Sequence, residues 1–280
     1  MVTAPVRKHR CCHLCCAETE KRVKFRRKTT RFRGEKPKNY KISHRKQTFS
    51  LFSVQFFVIL HPNSKFMKEN PLIQLGNVPI QTGTIAACFD YLSSPSEKIR
   101  NLEKDGQLVR LKRGLYVVSD EVSQKPINVR LCANHIYGPS YVSLQWTLRW
   151  YGLIPERVFS MTSITTKRTR MFENSLGRFT YYQVKPDYFS IGIRSVEENG
   201  VYCLMASPEK ALCDFILHDR YVPSQSVKTL WQYLEEDIRF DVDELGTFDV
   251  SIIEACAQAG RKKQILNNLI KIIKKMIVFK

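Results

Sequence analysis

No stretch of this 280-residue chain is apolar for long enough to cross a bilayer. The run Phe49–Leu60 covers twelve residues, where a membrane helix needs about 20. It also lies too far from the N-terminus, with no small-residue cleavage pattern behind it, to be an ordinary secretory signal. A cytoplasmic protein is expected. Glycine is sparse and badly spaced for nucleotide chemistry: no two glycines flank a single residue, and no Gly-Lys-Ser/Thr follows a glycine loop. The G-x-S-x-G elbow of esterases is missing too. Pro186 and Asp187 are not followed by the acidic-x-Lys triplet of a magnesium nuclease, because Glu209 and Lys210 are adjacent. Asp241 and Asp243 precede Gly246 as in a calcium loop, yet Leu245 and Ile252 stand where oxygen ligands are needed. There is no internal repeat of solenoid or propeller period. The expectation is a protein that is not an enzyme and needs no cofactor and no metal.

Acidic residues are scarce in one region. Residues 1–66 hold 17 of the 45 Lys and Arg residues but only 3 of the 26 Asp and Glu, so most of the net charge of +19 belongs there. Global charge is therefore weak evidence for what the rest of the chain binds. From Arg7 to Lys46 there is no apolar periodicity, and such a segment cannot bury enough surface to offset its ordering entropy. Residues 1–66 are expected to be disordered. Met67, followed by Lys68, Glu69 and Asn70, reads as a natural start, which would make them an upstream extension of the reading frame. Cys11, Cys12, Cys15 and Cys16 with His13 lack a well-spaced second pair of zinc ligands, since only His44 and His61 follow in this region. Cys88, Cys132, Cys203, Cys213 and Cys256 are odd in number and sit among apolar neighbours, as reduced core cysteines do. Cys132 with His135, set against Cys213 with His218, offers a zinc alternative.

What is present is clearest between Ser94 and Val118. Ser94 can cap a helix, Pro95 suits its first position, Glu97 completes a capping box, and Gly106 supplies a left-handed stop. Ile99 and Leu102 share one face, with Arg100, Asn101 and Lys104 on the other. Leu108–Leu111 and Leu115–Val118 read as strands of a hairpin with Lys112, Arg113 and Gly114 at its tip. Upstream, Ile85, Cys88, Phe89 and Leu92 form a helical stripe after Thr84. Two helices and a basic wing make a small winged helix-turn-helix over residues 67–120. The same pattern also suits a solvated helix and hairpin. In the DNA reading, Lys98, Arg100, Lys104, Arg110, Lys112 and Arg113 meet the duplex, with Asn101 placed to read a base edge.

Glu121–Pro126 reads as a polar linker, and residues 126–280 as a mixed α/β domain. Ile127–Ile136 and Val142–Tyr151 have helical spacing around a turn at Gly138–Ser140. Strand-like runs follow at Arg157–Ser163, Arg178–Val184, Phe189–Ile193 and Val201–Ala206, and their short links predict antiparallel pairing. Ser207 caps a helix, and Ser224 or Ser226 begins another that reaches Leu234. On the first, Glu209, Lys210 and Asp214 either present charge to a partner or form a solvated face, with Glu209 favouring the helix dipole. Tyr181, Tyr182 and Tyr188 with Arg178 are a base-stacking set or buried strand aromatics. Glu235, Glu236, Asp237, Asp241, Asp243 and Glu244 form an acidic cluster that is a partner-facing patch or plain surface. Past Gly260, Ile265, Leu269, Ile272 and Met276, with Leu266, Ile270, Ile273 and Ile277 beside them, form an apolar stripe opposite several lysines. Such a helix can lie on a membrane or a nucleic acid, but more often packs on a core.

The string YGPSYVSLQWTLRWYGLIPE at Tyr137–Glu156 resembles the AbiEi antitoxin family of bacterial type IV toxin–antitoxin systems, especially its Bacteroidetes-like members. Similar strings recur in the family's order over residues 67–275: RLKRGLYVVS at Arg110–Ser119, TTKRTRMFENSLGRFTYY at Thr165–Tyr182, ASPEKALCD at Ala206–Asp214 and YLEEDIRFD at Tyr233–Asp241. The resemblance implies an α+β protein in which an N-terminal winged helix binds promoter DNA and represses its own abortive-infection operon. It also implies a C-terminal domain that counters a nucleotidyltransferase-like toxin. The family's wing motif falls on Arg110, Lys112, Arg113, Gly114 and Tyr116, the usual first helix is short or absent here, and residues 1–66 match nothing in the family. The alternatives are a non-enzymatic protein–protein adaptor with a purely structural winged domain, or an orphan regulator.

Overall fold

A computed structural model describes residues 70–223 and 226–278. The basic segment 1–66, its cysteine group and the Phe49–Leu60 run lie outside the described residues, as do Met67 and Ser224. Among the described residues no helix is long and apolar enough to cross a membrane. The architecture is mixed α+β with two sheets.

The first part begins with α1 (Pro71–Leu75), five residues capped by the Asn70 side chain, which accepts from the Leu72 amide. Then follow β1 (Ile80–Gln81), α2 (Thr82–Ala87), α3 (Pro95–Lys104), β2 (Leu108–Lys112) and β3 (Leu115–Val118). The strands form an antiparallel sheet in the order β1-β3-β2. α3 has the expected bounds, with Ile99 and Leu102 buried and Arg100, Asn101 and Lys104 exposed. The expected capping box does not form: the Ser94 side chain makes no cap hydrogen bond. Pro95 at the first position and Glu97 in the first turn are the start signals that remain. The upstream stripe is helical only as far as Ala87, and the chain turns before Phe89, which is still buried with Ile85 against α3. Gly106 and Gly114 both take positive φ, +72° and +82°, at the helix end and the hairpin tip.

The expected linker is not loose. Asp120–Ser123 forms α4, the Ser123 hydroxyl bonds the carbonyls of Ser119 and Lys125, and the Asn77 amide donates to the Pro126 carbonyl at 2.9 Å. Short side-chain caps of this kind stabilise a turn that the sequence shows only as a polar run.

Next come α5 (Val129–Ile136), β4 (Ser140–Val142), α6 (Leu144–Trp150), β5 (Ser160–Thr165), β6 (Arg170–Asn174), β7 (Gly177–Gln183), α7 (Pro186–Phe189), β8 (Ile193–Glu198) and β9 (Val201–Ala206). The six strands form one sheet in the order β6-β7-β5-β4-β9-β8. Purely antiparallel pairing is overturned: β5 with β7 and β4 with β9 are parallel. β6 folds back on β7 as a hairpin, so β7 can enter the sheet beside β5 in the same direction. Three strands escaped the sequence reading, the two-residue β1, β4 within a presumed turn and β6 within a basic stretch, and β8 shares only Ile193 with the expected Phe189–Ile193 run. Conversely, Phe189 ends a short helix instead of opening a strand, because Pro186 starts a turn that buries Tyr188.

Side-chain alternation splits the sheet between two cores. Tyr141, Ile164 and Ala206 face one, with α8 (Pro208–His218), α10 (Val250–Ala259) and α11 (Lys263–Val278). Val142, Met161, Tyr181 and Met205 face the other, which also takes Cys132 and Ile136 of α5 and Leu111, Leu115 and Val117 of the hairpin. The hairpin therefore packs both on its own helices and on the large sheet. α9 (Val227–Gln232) opens with a capping box at Ser226 and Thr229 and runs into a wider turn at Tyr233–Asp237, and Val242–Thr247 is a tighter one. α11 buries both apolar rows as far as Ile273 against the core, with Lys263, Lys271, Lys274 and Lys275 exposed and Ile277 at the exposed end.

α8 departs most from expectation. Glu209, Lys210 and Asp214 do not form a solvated face: all are buried, Lys210 and Asp214 completely. A helix lying between the sheet and two further helices has no wet side, so its polar groups pair internally. The Lys210 ammonium donates to the Tyr188 carbonyl at 2.8 Å, lies 3.5 Å from Asp214 Oδ1 and sits over the Tyr188 ring. Asp214 Oδ2 accepts from the Ser143 and Tyr141 hydroxyls at 2.6 and 3.1 Å. Ser207 caps the helix as expected, its hydroxyl accepting from the Lys210 amide.

Candidate nucleic-acid interface

α3 and the hairpin enclose a cleft of about 890 Å³. Arg100 and Lys104 reach it from the helix, Arg110 and Arg113 from the hairpin. These four of the seven residues expected to meet DNA are thus brought together. Arg100 and Lys104 fall one turn apart on the helix, on the side away from Ile99 and Leu102. β2 and β3 slip register between Arg110 and Lys112, a bulge beside the tip that leaves Arg113 exposed next to Gly114. The Thr82 amide bonds the Gly114 carbonyl at 3.1 Å, which holds the tip against the start of α2.

The cleft also contains a carboxylate that sequence reasoning missed. Glu103 lies 3.8 Å from Arg110 and accepts from the Tyr116 hydroxyl at 3.3 Å. Burial first, and Glu103 second, push the Tyr116 hydroxyl above its ordinary pKa, so it stays a donor. Ser96, Arg100 and Glu103 follow an i, i+4, i+7 row along α3, so the spacing that would have found Glu103 is present in the sequence. With one carboxylate among four cations the cleft remains electropositive. Glu103 steadies Arg110 and Tyr116 and leaves Arg100, Lys104 and Arg113 to meet an anion.

The other three residues are placed differently. Asn101 is exposed on α3 but does not line the cleft. Lys98 lies on the far flank of the helix, its ammonium 5.9 Å from the centre of the Phe89 ring. Lys112 is turned away from the cleft, and its ammonium donates to the Ile136 and His135 carbonyls at the C-terminal end of α5. There it meets the negative end of a helix. Burial, followed by repulsion from Lys167 and Arg170, lowers its pKa. The hairpin tip therefore presents one cation to the cleft and spends the other on the large sheet's layer. Asn174 of β6 reinforces that junction by donating to the Leu111 carbonyl at 2.9 Å.

The remaining candidates divide by burial. Tyr181 and Tyr188 are buried, so they are structural aromatics and offer no face for stacking. Cys132 is buried while His135 is exposed, and among the described residues no group of three or more His, Cys, Asp or Glu is arranged to hold a metal ion. The acidic residues Glu235, Glu236, Asp237, Asp241, Asp243 and Glu244 are all exposed.

No known protein-family model matches this chain, and no curated protein matches it.

Proposed function

We propose that this protein is a DNA-binding repressor of its own operon that reads DNA through a winged helix-turn-helix, with α3 as recognition helix and the β2–β3 hairpin as wing. The observation that carries this reading is the convergence of Arg100, Lys104, Arg110 and Arg113 on one cleft between helix and hairpin. Cations set on two rigid elements suit the phosphates of a duplex, while Asn101, exposed on α3 outside the cleft, is left as the proposed reader of a base edge. The strings that resemble the AbiEi family extend the proposal: the C-terminal part belongs to a type IV antitoxin that counters a nucleotidyltransferase-like toxin encoded beside it, in the cytoplasm and without enzymatic activity.

The test is a gel shift with the upstream promoter across a salt series. Wild-type protein should bind with a steep salt dependence. Arg113→Ala should weaken binding on all sequences and reduce the slope by roughly one unit, as expected for one lost phosphate contact. Unchanged binding by Arg100→Ala/Arg113→Ala would remove the cleft from the proposal.

A second reading is an adaptor whose small helical module is purely structural. The sharing of Leu111, Leu115 and Val117 with the large sheet's core favours it. Absence of promoter binding at low salt would select this reading.

A further inference from the structure

A recess of about 430 Å³ opens between α6, the segment 154–159, the start of β5, α8 and the turn at Asp237. Its volume falls in the range of small-molecule sites, and its make-up is of the same kind, an apolar floor with a few polar groups at the rim. Leu148, Ile154 and Phe215 form the floor and are almost fully buried. Phe159 stands at the rim with 82% of its surface exposed, a large aromatic that the fold leaves open to solvent. The recess shares no residue with the helix–hairpin cleft.

The charges at the rim decide what kind of ligand fits. Three guanidinium groups lie nearby: Arg149 donates to the Ile154 carbonyl at 3.3 Å, Arg157 lies over the Phe159 ring at 5.2 Å, and Arg239 holds Glu156 Oε1 at 2.6 Å. The carboxylates are less fully used. Glu156 Oε2 is shielded from solvent and has no hydrogen-bond partner among the described residues, and Asp237 is exposed at the rim. A shielded carboxylate oxygen without a donor is costly, so a donor is what the recess lacks. The surroundings are acidic as well. Glu235 and Glu236, both exposed, precede Asp237 on the same turn.

We propose that this recess is a binding site for a small organic cation with an apolar body and an amidine, guanidine or amine head. The body packs on Leu148, Ile154 and Phe215 while the head donates to Glu156 and Asp237. The acidic cluster on the turn after α9 then acts as an electrostatic rim that favours cations over anions of the same shape.

Benzamidine and benzoate test this, being one ring with opposite charges. Isothermal titration of the full chain should show benzamidine binding in the millimolar range or tighter, with benzoate at least roughly tenfold weaker. Glu156→Gln and Asp237→Asn should each weaken benzamidine severalfold. Asp237 is exposed, so its variant keeps the test independent of folding if loss of the Arg239 contact destabilises the other. Equal affinity for the two probes, binding of neither at about 10 mM, or benzamidine affinity unchanged in both variants would overturn the proposal.

Discussion

Lys210 shows how misleading a charged residue can be when only its neighbours in sequence are known. Its ammonium is wholly buried, paired with Asp214 and hydrogen-bonded to Tyr188. Removing one member of such a pair strands the other charge in a poorly polarisable interior. Lys210→Met should therefore cost about 3–5 kcal/mol in urea unfolding, and Lys210→Met/Asp214→Leu well under the sum of the two single variants. Additive losses would show that the two charges are not coupled. His218, on the same helix, is held below its ordinary pKa of 6.5, mainly by burial. The folded chain thus resists a proton that the unfolded chain accepts. This contribution to stability is level above about pH 6.5 and declines as pH falls below it. Melting between about pH 7.5 and 5.5 should show Tm dropping, and His218→Phe should flatten that slope. A slope retained in the variant would assign it to other titratable groups.

At the scale of elements, periodicity was a good guide wherever one face of a helix is wet. The bounds of α3 and the buried rows of α11 were legible because apolar spacing reports a helix that is half in water, whereas the Ser207 cap of the buried α8 was legible from its local sequence. For α11 the two sides should respond differently. Leu269→Ala should cost about 2–5 kcal/mol through the cavity it leaves, while Lys271→Ala should stay within about 0.5 kcal/mol. Comparable losses at both positions would mean that the lysine side is also an interface. Strands were read less well. β4 and β6 are short, and β6 is a charged edge strand whose exposed positions carry no apolar alternation.

For the whole molecule, the hairpin joins the small helical part to the large sheet, and its two tip cations face opposite ways. Lys112→Ala should lower overall stability by about 1–3 kcal/mol by leaving the end of α5 without its cation, yet spare the DNA affinity of the folded protein. Arg113→Ala should do the reverse. Chemical denaturation and the promoter gel shift on the same preparations check both, and a Lys112 variant that loses only DNA binding would show that this lysine serves the cleft instead. Of the seven residues expected to meet DNA, Arg100, Lys104, Arg110 and Arg113 line one cleft, because α3 and the hairpin follow each other in the chain and the Thr82–Gly114 bond holds the hairpin tip in place.

Amino-acid order alone determined what is local: the bounds of α3, the start of α8, which faces of α3 and α11 are apolar, where the hairpin turns and where the basic charge concentrates. Tertiary structure decided which polar residues are wet. The direction of β7 beside β5, the burial of Lys210 and Asp214, the turning of Lys112 toward α5 and the recess rimmed by Glu156 and Asp237 all depend on contacts between residues distant in sequence. Periodicity reports only that a face is polar; whether that face meets water or a partner inside the fold depends on what packs against it.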